Sequence, residues 1–392
     1  MQNFQEKPAR QPPSLSQLFS SFLRLGTTAF GGPAMIAYIR ELAVERKRWL
    51  HKEPFQEGVA LCQTIPGATA MQVAAYVGLR VRGVPGAITT YLGFGLPAFL
   101  LMTALSALYS CTHSLPAVIA IFSGLQAIVA AIVANAAISF GRSSLSGWKT
   151  WVIALAAAGL FWLSAHPVLI LLLAAFLGLA LHSKQSAAPQ AEPRTHLPST
   201  ARPLLCLLAT TAAGFALLAF FRNDLAQLAL LMARIDLMAF GGGFASVPLL
   251  FHEIVTTRAW LDAPTLLDGI ALGQLTPGPI VITATFVGYL LHGLTGAVIA
   301  TVAIFLPSLL LVIGTAPYFS RLRASRRFNR AVDGVLCSFV GLLCTVTIRL
   351  ALHVHWDWPH LLLAAAAFGA LFKKIDLLWV VLVGGTVAIF LF

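Results

Sequence analysis

The segment AFGGPAMI (29–36) recurs as AFGGGFAS (239–246), with Ala-Phe-Gly-Gly identical at an offset of 210 residues. A second pair follows in the same order, EGVALCQTIPG (57–67) and DGIALGQLTPG (268–278). Chance does not place such matches in one order at nearly one spacing. The chain therefore contains an internal repeat, and its fold is expected to consist of two related halves.

The composition places both halves in a membrane. Hydrophobic residues make up 58% of the 392 residues and charged residues only 10%, whereas a soluble domain carries about 25% charged residues. Runs such as 168–181 and 361–372 are continuously apolar, which favours helices over the alternating pattern of a membrane β-barrel. The sequence predicts an all-α, polytopic transmembrane helical bundle with the lipid bilayer as a partner.

Apolar runs long enough to cross a bilayer divide the chain into about thirteen candidate spans. They are 18–39, 56–79, 84–109, 115–140, 148–164, 166–182, 203–221, 226–251, 265–291, 294–318, 331–352, 359–372 and 376–392.

A polar, proline-containing stretch separates the first six spans from the last seven and predicts a flexible linker. The expected organisation is an N-terminal cytoplasmic tail (1–17), a first repeat (18–182), a linker (183–202), an inverting span (203–225) and a second repeat (226–392). The repeats begin at span one and span eight, so an odd number of crossings separates them. This predicts two inverted-topology repeats with broken helices.

Orientation follows from the rule that Lys and Arg accumulate in the cytoplasm. A cytoplasmic N-terminus places seventeen of these residues inside and six outside. Five of the six lie in one segment, 40–52. This segment is either an interfacial helix or a sign that the first span re-enters rather than crosses.

Three repeated motifs resemble the chromate ion transporter family in its long, two-domain form. They are the FGG segments at 30–32 and 240–242, the basic-then-Trp-Leu elements at 48–50 and 258–261, and the Gln-to-Pro-Gly segments at 63–67 and 274–279. The resemblance implies a bacterial inner-membrane protein that exports chromate, with sulfate as a closely similar oxyanion. The first half reads Pro66-Gly67-Ala68 where the second has Pro277-Gly278-Pro279, so the halves are expected to differ in function.

Two arginines occupy equivalent positions six residues before the repeated Phe30 and Phe240, namely Arg24 and Arg234. An arginine in a span costs about 2.5–3.5 kcal/mol on insertion scales, so its repetition favours a role in binding an oxyanion. The alternatives are that each snorkels to the interface, or that Asp236 neutralises Arg234. Arg349 has no repeat partner and lies near a span end, which favours snorkelling.

Glycine and proline interrupt the spans at matching places in both halves, and these residues are candidate substrate contacts. Broken helices within a bilayer expose N–H groups and a positive dipole end that bind oxyanions. The alternative is that the glycines permit close packing and the prolines only bend the helix. The residues concerned are Gly31, Gly32, Pro66, Gly67, Gly241, Gly242, Pro277 and Gly278.

Polar side chains near the breaks complete the candidate site. Gln63 and Gln274 lie one turn before the repeated prolines, where an amide either donates to an oxyanion or bonds freed carbonyls. Five carboxylates are candidates for coupling, although helix capping or solvated ion pairs explain several of them equally well. They are Glu41, Glu57, Asp236, Glu253 and Asp268.

A membrane-embedded enzyme is disfavoured because the sequence has no metal-ligating His pair, nucleotide-binding loop or nucleophile motif. No cofactor, metal or nucleic-acid partner is expected. Inverted repeats with broken helices favour a secondary transporter of chromate over an anion channel, and sulfate is the alternative substrate. Coupling to the membrane potential or to a proton gradient and assembly as a homodimer are both left open.

Overall fold

A computed structural model describes residues 13–30, 34–181 and 201–392. Every regular element in these ranges is helical. The first half contains α1 (Leu15–Thr28), α2 (Ala34–Arg40, continued as a π-helix over Glu41–Arg46), α3 (Lys52–Thr64), α4 (Thr69–Thr112), α5 (Pro116–Ser144), α6 (Trp148–Trp162) and α7 (Pro167–Leu181).

The second half repeats this order after one extra helix, α8 (Ala201–Phe221). It contains α9 (Asn223–Met238), α10 (Ser246–Leu250, continued as a π-helix over Phe251–Thr257), α11 (Ala263–Leu275), α12 (Thr283–Thr315), α13 (Phe319–Ala324), α14 (Arg326–His353), α15 (Trp358–Phe372) and α16 (Leu377–Leu391). Short 3₁₀ turns over Gly243–Ala245, Ile280–Ile282 and Ala316–Tyr318 precede α10, α12 and α13.

The helices identify an all-α membrane protein. In the described ranges, five helical segments are long and apolar enough to cross a bilayer: Thr69–Thr112, Pro116–Ser144, Ala201–Phe221, Ile280–Tyr318 and Arg326–His353. Four shorter apolar helices, α6, α7, α15 and α16, accompany them. The predicted linker, 183–202, falls almost entirely outside the described residues, and the domain boundaries stay a prediction.

α4 is a hairpin of two helical arms, 69–81 and 84–112. Arg82 and Gly83 leave the helical conformation, and Gly83 has φ of +65°. The Thr90 hydroxyl donates back across the hairpin to the Ala74 carbonyl at 2.8 Å. α12 bends in the same way at His292 and Gly293, which divide it into arms 283–291 and 294–315.

A second hairpin joins α3 to the first arm of α4. Gly58 faces the ring of Tyr76 so closely that a Cβ at Gly58 would collide with it. Because both residues lie about two turns from the break at 65–68, the two helices run antiparallel with that break at the tip. Gly269 and Phe286 make the equivalent contact between α11 and the first arm of α12.

The halves are interlocked through their C-terminal helices. α6 and α7 of the first half pack on α14 of the second, where Gly341 faces Ala154 and Gly334 faces Ala174. α15 and α16 pack in turn on α5, where Gly124 faces Ala388. Small residues at these contacts let helix backbones approach closely within a membrane. The two repeats therefore form one body rather than two separate domains.

α1 is anchored at both ends. A capping box between Ser14 and Gln17 starts the helix, and the Arg82 guanidinium donates to the Pro13 carbonyl at 2.7 Å. The helix then runs alongside the second arm of α4, with Phe22 edge-to-face against Phe94. α1 therefore begins beside the turn of the α4 hairpin and points toward the interior.

Candidate functional site

The breaks of the two repeats cross each other in the interior. The backbone N–H of Gly67 donates to the Ala239 carbonyl at 2.9 Å, and the N–H of Gly278 donates to the Ala29 carbonyl at 3.0 Å. Ala29 and Ala239 end α1 and α9, whereas the two glycines lie at the tips of the α3–α4 and α11–α12 hairpins. Each repeat therefore provides, at the end of its first helix, the carbonyl that accepts a hydrogen bond from the tip glycine of the other repeat.

Positive φ values explain why glycine stands at these tips. Gly67 and Gly278 have φ of +117° and +121°, and Gly241 and Gly242 have +91° and +99°. Side chains with a Cβ rarely adopt this conformation. The prediction of helix breaks at the repeated Pro-Gly segments is therefore confirmed, as is the break at 241–242. Gly31 and Gly32 lie outside the described residues.

Two of the helix N-termini at the crossing belong to the first arms of α4 and α12. The first i→i−4 bond of α4 joins the Gln72 N–H to the Ala68 carbonyl, so the N–H groups of residues 69–71 have no partner within the helix. Neither start has a side-chain cap. Gly242 lies beside Thr69, and Gly243 lies beside Ile280. Uncapped N-termini carry partial positive charge and accept an anion.

The predicted glutamines differ in exposure. Gln63 is exposed, whereas its repeat equivalent Gln274 is buried, and the Nε2 of Gln274 has no hydrogen-bond partner in the described part of the chain. The prolines beside them end α3 and α11. The Pro66 carbonyl accepts a hydrogen bond from the side chain of Gln72, a residue whose position after the break was not singled out by the sequence.

The two predicted arginines also differ. Arg24 is exposed and forms no ion pair with any described residue. Arg234 is about one-third exposed and lies 3.7 Å from a carboxylate oxygen of Glu253. Glu253 is buried and also lies 3.8 Å from Arg258. Each arginine precedes the last residue of its helix by four residues, which is about 6 Å along the axis.

The alternative that Asp236 neutralises Arg234 is wrong. Asp236 is fully buried and accepts hydrogen bonds from the backbone N–H and the hydroxyl of Ser308, at 2.8 and 2.7 Å. Residues two apart on a helix point in different directions, which is why Asp236 faces α12 while Arg234 faces Glu253. Ser308 also accepts from the Ala68 N–H at 3.1 Å, so Asp236 is tied to the tip of the first repeat.

The remaining carboxylates occupy two kinds of place. Asp268 is buried and accepts from the Tyr109 hydroxyl and from the Gln126 amide, both at 2.8 Å. Its repeat equivalent, Glu57, is half-buried and makes no hydrogen bond with the described residues. Glu41 pairs with Arg46 at 2.7 Å on the surface, as expected of a solvated ion pair.

Arg349 is half-buried beside the end of α6, and its snorkelling stays a prediction. Its guanidinium donates to the Trp162 carbonyl at 2.8 Å and to the Phe161 carbonyl at 3.2 Å, and so closes the end of α6. His166, in the turn after α6, contacts the guanidinium of Arg234. His166 and His252 were not predicted, because neither belongs to a repeated motif. The described residues contain no cluster of side chains suited to a metal ion.

Comparisons with known proteins cover both halves of the chain. The chromate transporter family model matches twice, over residues 16–179 and 226–389. An uncharacterized transporter of Methanocaldococcus jannaschii is 40% identical over 377 residues, which cover 95% of this chain and 93% of the relative.

Two proteins named chromate transport protein are each 34% identical to the chain. The protein of Cupriavidus metallidurans aligns over 93% of this chain and 90% of its own length. The protein of Pseudomonas aeruginosa aligns over 92% and 86%. No solved structure matches the chain. With a family model matching both repeats and relatives aligned over nearly the whole chain, the protein belongs to the chromate transporter family, whose members are transporters rather than enzymes.

Proposed function

We propose that this protein is a secondary transporter that exports chromate across the bacterial inner membrane and so confers chromate resistance. The observation that carries the proposal is the reciprocal crossing of the hairpins at Gly67 and Gly278. Two uncapped helix N-termini meet there, and an equivalent arginine lies one to two turns away on each side. This arrangement suits a tetrahedral dianion at the centre of a membrane protein.

The proposed topology has nine crossings and four re-entrant hairpins instead of thirteen crossings. The second arms of α4 and α12 cross, as do α5 to α8 and α14 to α16. The four re-entrant hairpins correspond to the predicted spans 18–39, 56–79, 226–251 and 265–291. Five crossings separate the repeats, which keeps them inverted. Contact directions support this topology, since α1 and α3 both begin near the α4 turn and end near the centre.

Charge supports the same topology and sets its orientation. If the α1–α2 hairpin re-enters, the basic segment 40–52 joins the side of the α4 turn. Described Lys and Arg residues near the membrane surfaces then number seventeen on that side, against only Arg222 and Arg258 on the other. By the positive-inside rule, the first side is cytoplasmic. The seventeen are residues 40, 46, 47, 48, 52, 80, 82, 142, 149, 202, 321, 323, 326, 327, 330, 373 and 374.

Substrate contacts are proposed at the crossing and on both sides of it. The N–H groups at 69–71 and 280–281 would receive the oxyanion. Arg24 would contact the oxyanion from the cytoplasmic half, and Arg234 would contact it from the outer half. The unpartnered Nε2 of Gln274 is available as a further donor, and the exposed Gln63 is its repeat equivalent. The glycines at the breaks let the anion approach the backbone.

Export is the favoured direction. Moving one charge across 100 mV is worth about 2.3 kcal/mol, so a dianion leaving a negative cytoplasm gains about twice that amount. Uptake would need several coupled cations. Among the carboxylates, Asp236 is the best candidate for coupling, because it is buried at the crossing and no described cation pairs with it.

The test is transport of labelled chromate and sulfate into inside-out vesicles, with the potential and the pH gradient imposed separately. Export predicts saturable chromate accumulation that increases when the vesicle interior is made positive. Sulfate accumulation without chromate accumulation would instead identify a sulfate transporter. Flux that neither saturates nor shows counter-transport would identify a channel.

A further inference from the structure

A group of basic side chains lies in the proposed outer half and shares Arg234 with the site proposed at the hairpin crossing. Its members come from α9, from the π-helix after α10, from the turn after α6 and from α14. We call it the outer basic cluster, and it consists of Arg234, Arg258, Arg349, His166 and His252 around the single carboxylate of Glu253.

The charge of the cluster is unbalanced. The cluster contains three arginines and one glutamate, which leaves two positive charges when both histidines are neutral, and the glutamate contacts only Arg234 and Arg258 among them. The two ion pairs of Glu253 are loose, at 3.7 and 3.8 Å, whereas a charge-assisted hydrogen bond is about 2.7–2.9 Å long. The guanidinium N–H groups of Arg234 and Arg258 are therefore not saturated by Glu253.

His252 supplies an independent sign of a missing partner. Its side chain is buried, with only 5% of the residue exposed, and its Nδ1 has no hydrogen-bond partner in the described ranges. It lies within electrostatic reach of Arg234, Arg349, His166 and Glu253. Buried polar atoms are almost always hydrogen-bonded, whereas this nitrogen is a buried polar atom of the cluster that lacks a partner among the described residues.

Three of the five basic members of this cluster have no basic equivalent in the other repeat. At an offset of 210, Arg349 corresponds to Ser139 and His166 corresponds to Asp376; at the local offset of 211, His252 corresponds to Glu41. Two acidic residues and a serine thus occupy the positions equivalent to these three, whereas Arg234 and Arg258 correspond to the basic residues Arg24 and Lys47. The cluster therefore belongs to one side of the protein and is not a by-product of the internal repeat.

We propose that the outer basic cluster binds one tetrahedral oxyanion dianion, of the chromate or sulfate type, as a second site beyond the hairpin crossing. This proposal rests on the proposed function, because the cluster would be the site that binds the anion on the side where it leaves the protein. The planar guanidinium groups bind two oxygens of such an anion at once, and the His252 imidazole contacts a third. Glu253 competes with the anion for Arg234 and Arg258.

Arginine footprinting on the purified protein tests this proposal without a transport assay. Phenylglyoxal modifies accessible guanidinium groups, and mass spectrometry gives the modification rate of each arginine. Sulfate and chromate are compared with chloride at equal ionic strength, so that screening is the same. Arg222 and Arg46, which are exposed and paired with Asp224 and Glu41, are the matched controls.

The expected result is that either dianion slows modification of Arg258 and Arg349 at least threefold and leaves Arg222 and Arg46 unchanged. His252→Gln should remove the protection at Arg258 and Arg349. Glu253→Gln should strengthen it, because a competing carboxylate is lost. A purely structural role for Glu253 would not improve anion binding, so this variant keeps the test decisive if His252→Gln folds poorly.

Protection at Arg24 reports on the proposed central site and separates the two proposals. Protection at Arg24 with no change at Arg258 and Arg349 would overturn the outer site and leave the proposed function standing. Arg258 and Arg349 that react equally fast with and without both anions overturn it in every case. Protection of Arg258 and Arg349 that is lost in the His252→Gln variant supports the outer site.

Discussion

The backbone N–H of Gly67 donates to the carbonyl of Ala239 across the two repeats at 2.9 Å. The repeat equivalents, Gly278 and Ala29, make the same bond in the opposite sense at 3.0 Å. The two bonds connect equivalent residues of the two halves in a reciprocal way. Each break is thereby held by the other half, so neither repeat can complete its own site.

The two tip glycines should respond unequally to alanine. Both have positive φ, which costs an alanine about 1–2 kcal/mol. A Cβ at Gly67 would also collide with the Ser308 hydroxyl, whereas one at Gly278 would lie 3.0 Å from the Ala98 methyl group. We expect Gly67→Ala to lower the thermal stability of the purified protein more than Gly278→Ala does. Equal losses would show that the Ser308 contact is absent.

Replacing the paired arginines should reduce transport rather than folding. Arg24→Gln and Arg234→Gln each remove a positive charge near the crossing and should leave little chromate transport. The Lys variants keep the charge but lose the planar fork, so they should be partly active. Transport and chromate resistance are measured beside the amount of protein in the membrane. Near-normal transport by the Arg24→Gln, Arg234→Gln double variant would exclude both residues.

Asp236 should determine the response to a pH gradient. Asp236→Asn still accepts hydrogen bonds from Ser308 but can no longer exchange a proton. We therefore expect chromate transport by this variant to respond to the potential and not to an imposed pH gradient. Asp224→Asn, in the first turn of the same helix, is the matched control because Asp224 is exposed. Asp236→Asn with an unchanged pH response would remove Asp236 from coupling.

The fold was predictable from the sequence to the extent that it depends on local patterns. Hydropathy identified the helices, and the repeated Pro66-Gly67 and Pro277-Gly278 predicted the breaks, which the positive φ values confirm. The hairpins were not predictable in this way. An apolar run of about 26 residues broken in the middle has the same hydropathy whether its second arm continues or turns back.

The candidate site was predictable only where it is repeated. Arg24 and Arg234 stood out because they recur at one offset. Arg349, His166 and His252 have no basic equivalent in the other half, and only tertiary packing brings them together. The same limit applies to Asp236, since its partner Ser308 lies 72 residues away on α12.

Accessibility of single cysteines should distinguish nine crossings from thirteen. In a cysteine-free background, single cysteines that replace Arg48 or Arg82 should react with a membrane-impermeant reagent from the cytoplasmic side. Cysteines at Arg258 and Gly293 should react from the outer side. Thirteen crossings would instead place Arg48 outside and Arg258 inside, so these two positions alone decide between the models.

Gln63 is exposed whereas its repeat equivalent Gln274 is buried, so the second-half break is more tightly packed than the first-half break. Asp268 holds α11 closed through Tyr109 on α4 and Gln126 on α5. The repeat equivalents of these two partners are Phe319 and Leu336, which cannot hydrogen-bond to Glu57. These hydrogen bonds connect α11 to α4 and α5 and have no counterpart at α3, and we expect them to keep the second-half break buried.

Replacing Tyr109 and Gln126 by the kinds of residue found at the equivalent positions of the other half should expose the second-half break. The Tyr109→Phe, Gln126→Leu variant removes both donors to Asp268 and leaves a buried carboxylate unsatisfied, which costs about 1–3 kcal/mol or more. A cysteine at Gln274 should then react with a thiol reagent at least several times faster than in the parent, while a cysteine at Gln63 reacts as before. The second cysteine shows that any change is confined to the outer half. If Gln274→Cys stays unreactive in the double variant while the protein remains folded, packing of α11 against α5 and α16 holds the outer half closed without these hydrogen bonds.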